Sequence, residues 1–314
     1  MKRRSFLGFA AAAAALPAEK ANVPIIDTHI HLFDTARPQG VPWPEKINKV
    51  LYQPALPERY KKLALPLGVV GAIKVEASPW LEDNQWVLDV AAKDPIIVGM
   101  IGNLEPGKPD FGKQLERFHR NPLFLGIRYG NLWGRNLAAE LSKPQFVADL
   151  KLLAQAGLTL DSANPDPQLI GAILQVADKV PALRVVIDHL PQMKTPEDPS
   201  IAKKTKGVLQ ELGKRRQVCV KLSEVYRRIS GEVPRDLGVY RGTLDELFGI
   251  FGEDRVLYGS DWPNSDNWRP YGDVLNLVQE YFAGKSAAAR EKYFWKNSVV
   301  AYRWKKRDAS QPSA

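Results

Sequence analysis

The feature that most constrains this chain is a recurrence: eight short apolar runs, at residues 23–26, 69–75, 96–101, 124–128, 158–161, 183–189, 218–222 and 256–260. Segments with apolar residues at helical spacing separate most of them, at 82–92, 111–119, 144–156, 167–179, 203–212 and 244–251. A strand that is apolar at nearly every position has both faces buried, the condition of a parallel sheet covered by helices. Eight such units predict an α/β fold in which the sheet closes as one distorted (β/α)8 TIM barrel. The length of 314 residues would by itself suggest about two domains of roughly 150 residues, but a single barrel of about 250 residues accounts for it. With 45% hydrophobic and 25% charged residues, nothing in the chain points to disorder.

Punctuation between the runs agrees with this pattern. Gly157 and Gly252 follow helical stretches as stops, and Asp94-Pro95 ends another. Thr243 is expected to cap the helix over 244–251, with Glu246 three positions on as in a capping box. The insertion at 35–56 carries Pro38, Pro42, Trp43, Pro44 and Pro54 and reads as a loop lying over one end of the barrel. Residues 287–306 form a closing helical region, and 308–314 a disordered tail. No repeat or low-complexity linker divides residues 19–307, which are taken as one barrel domain.

The N-terminus reads as a processing segment. Lys2, Arg3 and Arg4 precede an apolar stretch from Phe6 to Leu16 and a small-residue ending at Ala18, the build of a cleaved export signal over residues 1–18. The stretch is too short to anchor stably in a bilayer. Arg3-Arg4-Ser5-Phe6-Leu7 fits the twin-arginine pattern, so the expectation is export by the twin-arginine machinery to a periplasmic or extracellular location. An ordinary secretory signal containing two arginines is the alternative.

Removing the three basic residues of that leader lowers the formal charge from +9 to +6. The remaining lysines and arginines are scattered, with no stripe interleaved with aromatics, which disfavours nucleic acid and reads as solvated helix faces; the partner expected is a small-molecule substrate. The single Cys219 has no partner for an internal disulfide.

Active sites of barrels sit at the C-terminal ends of the strands, and the polar residues of this sequence gather there. His29 and His31 end the first run and, two apart on a strand, face the same way; two imidazoles from one strand end can share a metal ion or a polar substrate. Glu76 ends the second run, Asn103 and Glu105 follow the third, Arg128 ends the fourth and Asp161 the fifth. His189 ends the sixth, Lys221 and Ser223 the seventh, and Asp261 follows the eighth. His189 and Asp261 stand out because each follows an apolar strand in a tight turn, IDHLP and GSDWP.

In their order along the chain, IDTHIHLFD, GIRYG, VVIDHLP, KLS and LYGSDWP resemble the amidohydrolase superfamily, specifically the amidohydrolase-related branch of sugar-lactone and 2-pyrone-4,6-dicarboxylate lactone hydrolases. The resemblance spans almost the whole chain after the leader. It implies that His29, His31, His189 and Asp261 surround the reacting carbon of the substrate, with Asp261 as the general base. The sequence departs from the best-known superfamily pattern in that the fifth strand ends in Asp161 without a histidine, and Arg128 stands where a bridging lysine would be. Arginine stays protonated and does not bridge metals, which disfavours a two-metal site. His29, His31 and Asp261 would suit one divalent ion, zinc or manganese, and the same residues also allow metal-independent hydrolysis.

Opening a lactone needs a nucleophilic water, a base and donors for the developing oxyanion. Asp261 is the expected base; a bound metal would polarise the carbonyl, and without one His29, His31 or the catalytic candidate His189 is expected to donate to the oxyanion. Arg128 and Lys221 are expected to hold a substrate carboxylate or sugar hydroxyls, Glu76 to line the substrate pocket, and Trp43 and Trp262, with Trp80 and Trp133, to offer stacking surfaces. The leading expectation is an exported lactonase-like hydrolase acting on an ester bond. The alternatives are a metal-dependent decarboxylase of the same superfamily and a non-catalytic barrel that binds a sugar acid.

Overall fold

The computed structural model describes residues 23–313. The export signal expected at residues 1–18 lies outside the described residues. Eight parallel strands follow in chain order, each hydrogen-bonded to the next: β1 (Ile25–Ile30), β2 (Val69–Lys74), β3 (Ile97–Gly102), β4 (Phe124–Arg128), β5 (Thr159–Asp161), β6 (Arg184–Ile187), β7 (Val218–Lys221) and β8 (Val256–Leu257). The last edge meets the first beyond the regular part of β8. Thr28 N donates to Tyr258 O at 3.1 Å, Asp261 N to His29 O at 2.8 Å and His31 N to Trp262 O at 2.7 Å. The expected TIM barrel is therefore the observed fold. β1 runs further than the apolar run that marks it, because Asp27 to Ile30 are themselves buried.

Among the described residues, eleven α-helices accompany the strands: α1 (Pro57–Ala64), α2 (Asp83–Lys93), α3 (Phe111–His119), α4 (Leu137–Glu140), α5 (Pro144–Gln155), α6 (Pro167–Lys179), α7 (Pro199–Gly213), α8 (Gly238–Phe251), α9 (Tyr271–Ala283), α10 (Ala287–Glu291) and α11 (Asn297–Tyr302). Their starts follow capping chemistry. Asp166 accepts from Leu169 N at 2.7 Å and Asp198 from Ile201 N at 3.1 Å, each with proline in the first turn, where the missing N–H is no loss. The capping box expected at Thr243 is not formed, since α8 starts at Gly238 and leaves Thr243 inside the helix. Asp236, which accepts from Gly238 N at 2.8 Å, marks the true start. No helix among the described residues is long and apolar enough to cross a membrane.

Apolar side chains fill the lower barrel: Ile26, Ile73, Val98, Leu125, Val186, Cys219 and Leu257 pack as one cluster with Tyr302 and Trp304 from the closing helical region. Burial pushes the Cys219 thiol up to about 12, so it is an inert packing residue. The tail at 308–313 does not fray as expected. Gln311 is buried, and its Nε2 donates to Val70 O at 3.1 Å and Pro95 O at 2.8 Å. The polar tail thus docks on main-chain carbonyls at the floor of the barrel.

Candidate active site

Along a strand every second residue faces the same side, and three strands use this to rise from apolar interior to reactive mouth. Val186 is followed by Asp188, Cys219 by Lys221 and Ser223, and Leu257 by Gly259 and Asp261. Gly259 is needed for close approach, since a Cβ there would stand 2.7 Å from His29 Cβ. Asp27 pins the same junction: its Oδ1 accepts from Ser260 N at 2.8 Å and His29 N at 3.2 Å, and its Oδ2 from the hydroxyls of Tyr60 and Tyr271 at 3.0 and 3.1 Å.

The four residues singled out at the strand ends meet at one atom. Asp261 Oδ1 lies 2.9 Å from His31 Nε2, 3.4 Å from His29 Nε2 and 3.5 Å from His189 Nε2. Its Oδ2 accepts from Asn264 Nδ2 at 2.6 Å. Burial favours protonation of Asp261, but His189, His31 and His29 outweigh it and hold the carboxyl well below the usual range. Burial, reinforced by Lys221, drives His29 well below the ordinary imidazole value, and burial takes His189 down to about 4. Around neutral pH the cluster therefore presents a carboxylate with His29 and His189 as neutral imidazoles.

This arrangement suits a cation. His31 Nδ1 contacts Val75 O at 3.0 Å; a carbonyl only accepts, so Nδ1 carries the proton and the Nε2 lone pair faces a carboxylate oxygen. Two lone pairs that close call for a proton or a metal between them. His29 Nε2 is buried without a hydrogen-bond partner, and ligand atoms of His29, His31 and Asp261 lie within 4.8 Å of one another. The residues present thus fit one divalent ion.

Beneath the cluster lies a buried charged layer, and it corrects the role expected for Lys221. Lys221 is fully buried, 2.9 Å from Asp161 Oδ2 and 2.9 Å from Asp188 Oδ1, with His29 Nδ1 at 3.3 Å. One pleat below Ser223, it pairs with two carboxylates and does not line the substrate pocket. Tyr302 OH donates to Asp161 Oδ2 at 2.7 Å, and Arg128 Nε lies 3.0 Å from Asp188 Oδ2. Trp262 is also corrected: it is fully buried, with its ring 5.3 Å from that of Tyr60, and forms no wall of the pocket. Asn103 donates to the Ser78 and Trp80 carbonyls at 2.6 and 2.8 Å and so holds the β2–α2 loop.

A cleft of about 240 Å³ opens above the cluster, with His31, His189, Asp261, Arg128, Glu76 and Trp43 on its walls. Trp43, from the loop at 35–56, sets its ring edge-on 5.3 Å from His31. Glu76 is tied to Arg135 Nη1 at 2.7 Å, a partner not evident from strand-end reasoning. Glu224 and Asn264 were likewise not singled out. Asn264 Nδ2 also donates to Glu224 Oε1 at 3.1 Å, joining a second carboxylate to Asp261. Burial and the nearby Asp261 push the Glu224 carboxyl well above its ordinary range.

Among the described residues, seven non-glycine residues have positive φ, and Trp133, Asn164, His189, Glu224 and Asp261 of these line this cleft. Left-handed backbone costs roughly 1–2 kcal/mol at a non-glycine residue. It is eased for Asn, Asp and His but not for a bulky Trp, and such strain clusters at functional sites.

A family profile described as amidohydrolase matches residues 26–304. The chain belongs to the amidohydrolase family. This amidohydrolase is 28% identical over 289 residues to an L-fucono-1,5-lactonase of Burkholderia ambifaria, covering 88% of this chain and 95% of that one. In structure it is similar to an amidohydrolase from Burkholderia multivorans crystallised with bound zinc, at TM-score 0.77 and 21% identity over 90% of this chain and 99% of that one. It is also similar to a probable 2-pyrone-4,6-dicarboxylic acid hydrolase from Acinetobacter baumannii with citric acid bound, at TM-score 0.70 and 21% identity over 89% and 99% of the two chains.

Proposed function

We propose that this amidohydrolase opens a sugar-derived lactone by attack of water, with Asp261 as general base. The observation that carries the reading is the convergence of three imidazole nitrogens, 2.9 to 3.5 Å away, on one Asp261 oxygen at the mouth of the barrel. Asn264 holds the other carboxylate oxygen, and Oδ1 is the oxygen proposed to take the proton of the attacking water. Asp261 takes the water proton as the water oxygen bonds to the ester carbon. The ring C–O bond then breaks, and the proton passes from Asp261 to the departing ring oxygen, giving a hydroxy acid.

One divalent ion held by His29, His31 and Asp261, zinc or manganese, would supply polarisation of the ester carbonyl and a lowered pKa of bound water. His189 Nδ1 contacts Ser223 Oγ at 2.9 Å, which fixes the ring so that Nε2 faces the cleft near Asp261.

Charge on the walls favours an uncharged polyhydroxylated ring over a dicarboxylate. Among the described residues Arg128 is the one guanidinium lining the cleft and is already beside Asp188, while Glu76 and Glu224 present carboxyl groups that suit hydroxyls. The relative named as a fuconolactonase supports the same substrate class. We extend the proposal to export of the folded protein, on the leader at residues 1–18.

The test is a panel of aldonolactones and a pyrone dicarboxylate offered to the purified protein, with acid release recorded. Ring opening of aldonolactones is expected, and Asp261→Asn lowers kcat by about 10²–10⁴-fold at unchanged secondary structure. Carbon dioxide release from an aromatic acid without lactone opening would replace this reading with a decarboxylase. Ligand binding without turnover would replace it with a binding barrel.

A further inference from the structure

The reaction cleft does not end at Glu224. A second cleft of about 430 Å³ continues from it, sharing Asn164, His189 and Glu224. The reaction cleft alone, at about 240 Å³, is smaller than the roughly 300–1,000 Å³ usual for ligand sites, room for one ring and little more. The side cleft lies over the ends of β4 to β7, on Asn131 of the loop after β4, Asn164 and Asp166 after β5, Gln192 and Lys194 after β6, and Glu224 after β7.

Its chemistry is that of a polyol site. Among the described residues, Pro165 and Pro167 are the only apolar ones on its walls, so a hydrocarbon substituent would gain little there. The amide nitrogens are already committed: Asn164 Nδ2 donates to Asn131 O at 2.8 Å, Asn131 Nδ2 to Asp166 Oδ2 at 2.8 Å, and Gln192 Nε2 to the Glu224 and Tyr226 carbonyls at 2.8 and 3.0 Å. Their side-chain oxygens accept from no donor among the described residues and are suited to hydroxyl donors. Lys194 is exposed and adds a cationic donor that makes no ion pair among the described residues.

We propose that this side cleft is a second subsite that takes a glycosyl residue carried by the lactone ring, so that the enzyme's substrate class is the lactone of an oxidised disaccharide. The inference rests on the lactonase reading for the reacting ring but concerns a different surface, and the two are separable by experiment. Glucono-1,5-lactone and its galactosylated form, lactobiono-1,5-lactone, are compared as substrates, and gluconate and lactobionate as ligands by calorimetry.

The disaccharide lactone is expected to have a kcat/KM about tenfold higher, and lactobionate to bind about tenfold tighter than gluconate. Lys194→Ala and Asn131→Ala each lower that advantage by about fivefold while glucono-1,5-lactone turnover stays as in the wild type. Lys194 is exposed, so its variant keeps the fold if the Asn131 variant does not. Equal binding of the two acids, or an advantage untouched by Lys194→Ala, overturns the subsite whatever the turnover. A Lys194-dependent advantage in binding with neither lactone opened keeps the subsite and removes the lactonase reading instead.

Discussion

Replacing Lys221 by methionine separates the two roles this residue can be given. The ammonium stands 2.9 Å from a carboxylate oxygen of Asp161 and 2.9 Å from one of Asp188, and all three side chains are fully buried. At an effective dielectric of about 20, each contact carries roughly 6 kcal/mol of gross attraction, much of it offset by desolvation. Removing one partner of a buried pair costs about 3–5 kcal/mol net, because the remaining charge is left uncompensated. For a chain of this size that lowers the melting temperature by on the order of 10 °C. Thermal unfolding followed by circular dichroism measures it directly. Asp161→Asn in the same chain should recover part of the loss, since it removes one stranded carboxylate while Tyr302 keeps a partner. A Lys221→Met protein that melts as the wild type does, with its defect confined to a raised KM, would refute this reasoning and return Lys221 to the substrate.

Other outcomes follow from the same geometry. Chelation should release about one divalent ion per chain by elemental analysis, and an ion supplied at about 100 times its dissociation constant should restore roughly 2.7 kcal/mol of stability, with His29→Ala and His31→Ala abolishing the gain. Burial holds His189 at about 4 against an ordinary 6.5, so between those values the unfolded chain binds a proton that the folded one refuses. That contribution makes stability rise with pH from about 4 to 6.5, by about 3 kcal/mol. It should appear as a pH-dependent stability difference between metal-free wild type and His189→Gln in urea titrations, and a difference of the opposite slope would be incompatible with it. Trp43→Ala removes the ring set edge-on to His31 and should raise KM about three- to tenfold.

The strands were legible because burial on both faces leaves an apolar run that no surface element shows. The paired histidines, His189 and Asp261 were legible because strand ends are where a barrel presents polar groups. Depth within the barrel was not legible. Lys221 and Ser223 sit on the same side of one strand, and only packing shows that the first is sealed below the cluster while the second contacts His189. Trp262 follows Asp261 directly, so it faces the other way and packs on Tyr60. Glu224, Arg135 and Asn264 come from loops whose paths depend on left-handed turns and on contacts with distant strands, and no periodicity marks them. Thr243 misled because a good cap residue inside a longer helix looks like the start of a shorter one.

The left-handed turns at the mouth limit how this enzyme can change. His189, Glu224, Asp261, Asn164 and Trp133 are held by the direction of the main chain, so a new side chain at any of them must tolerate that direction before its chemistry matters. Leu132 and Ala77 border the same cleft on ordinary backbone. Diversification toward other rings has its freest routes through those two positions, with the reacting group left in place.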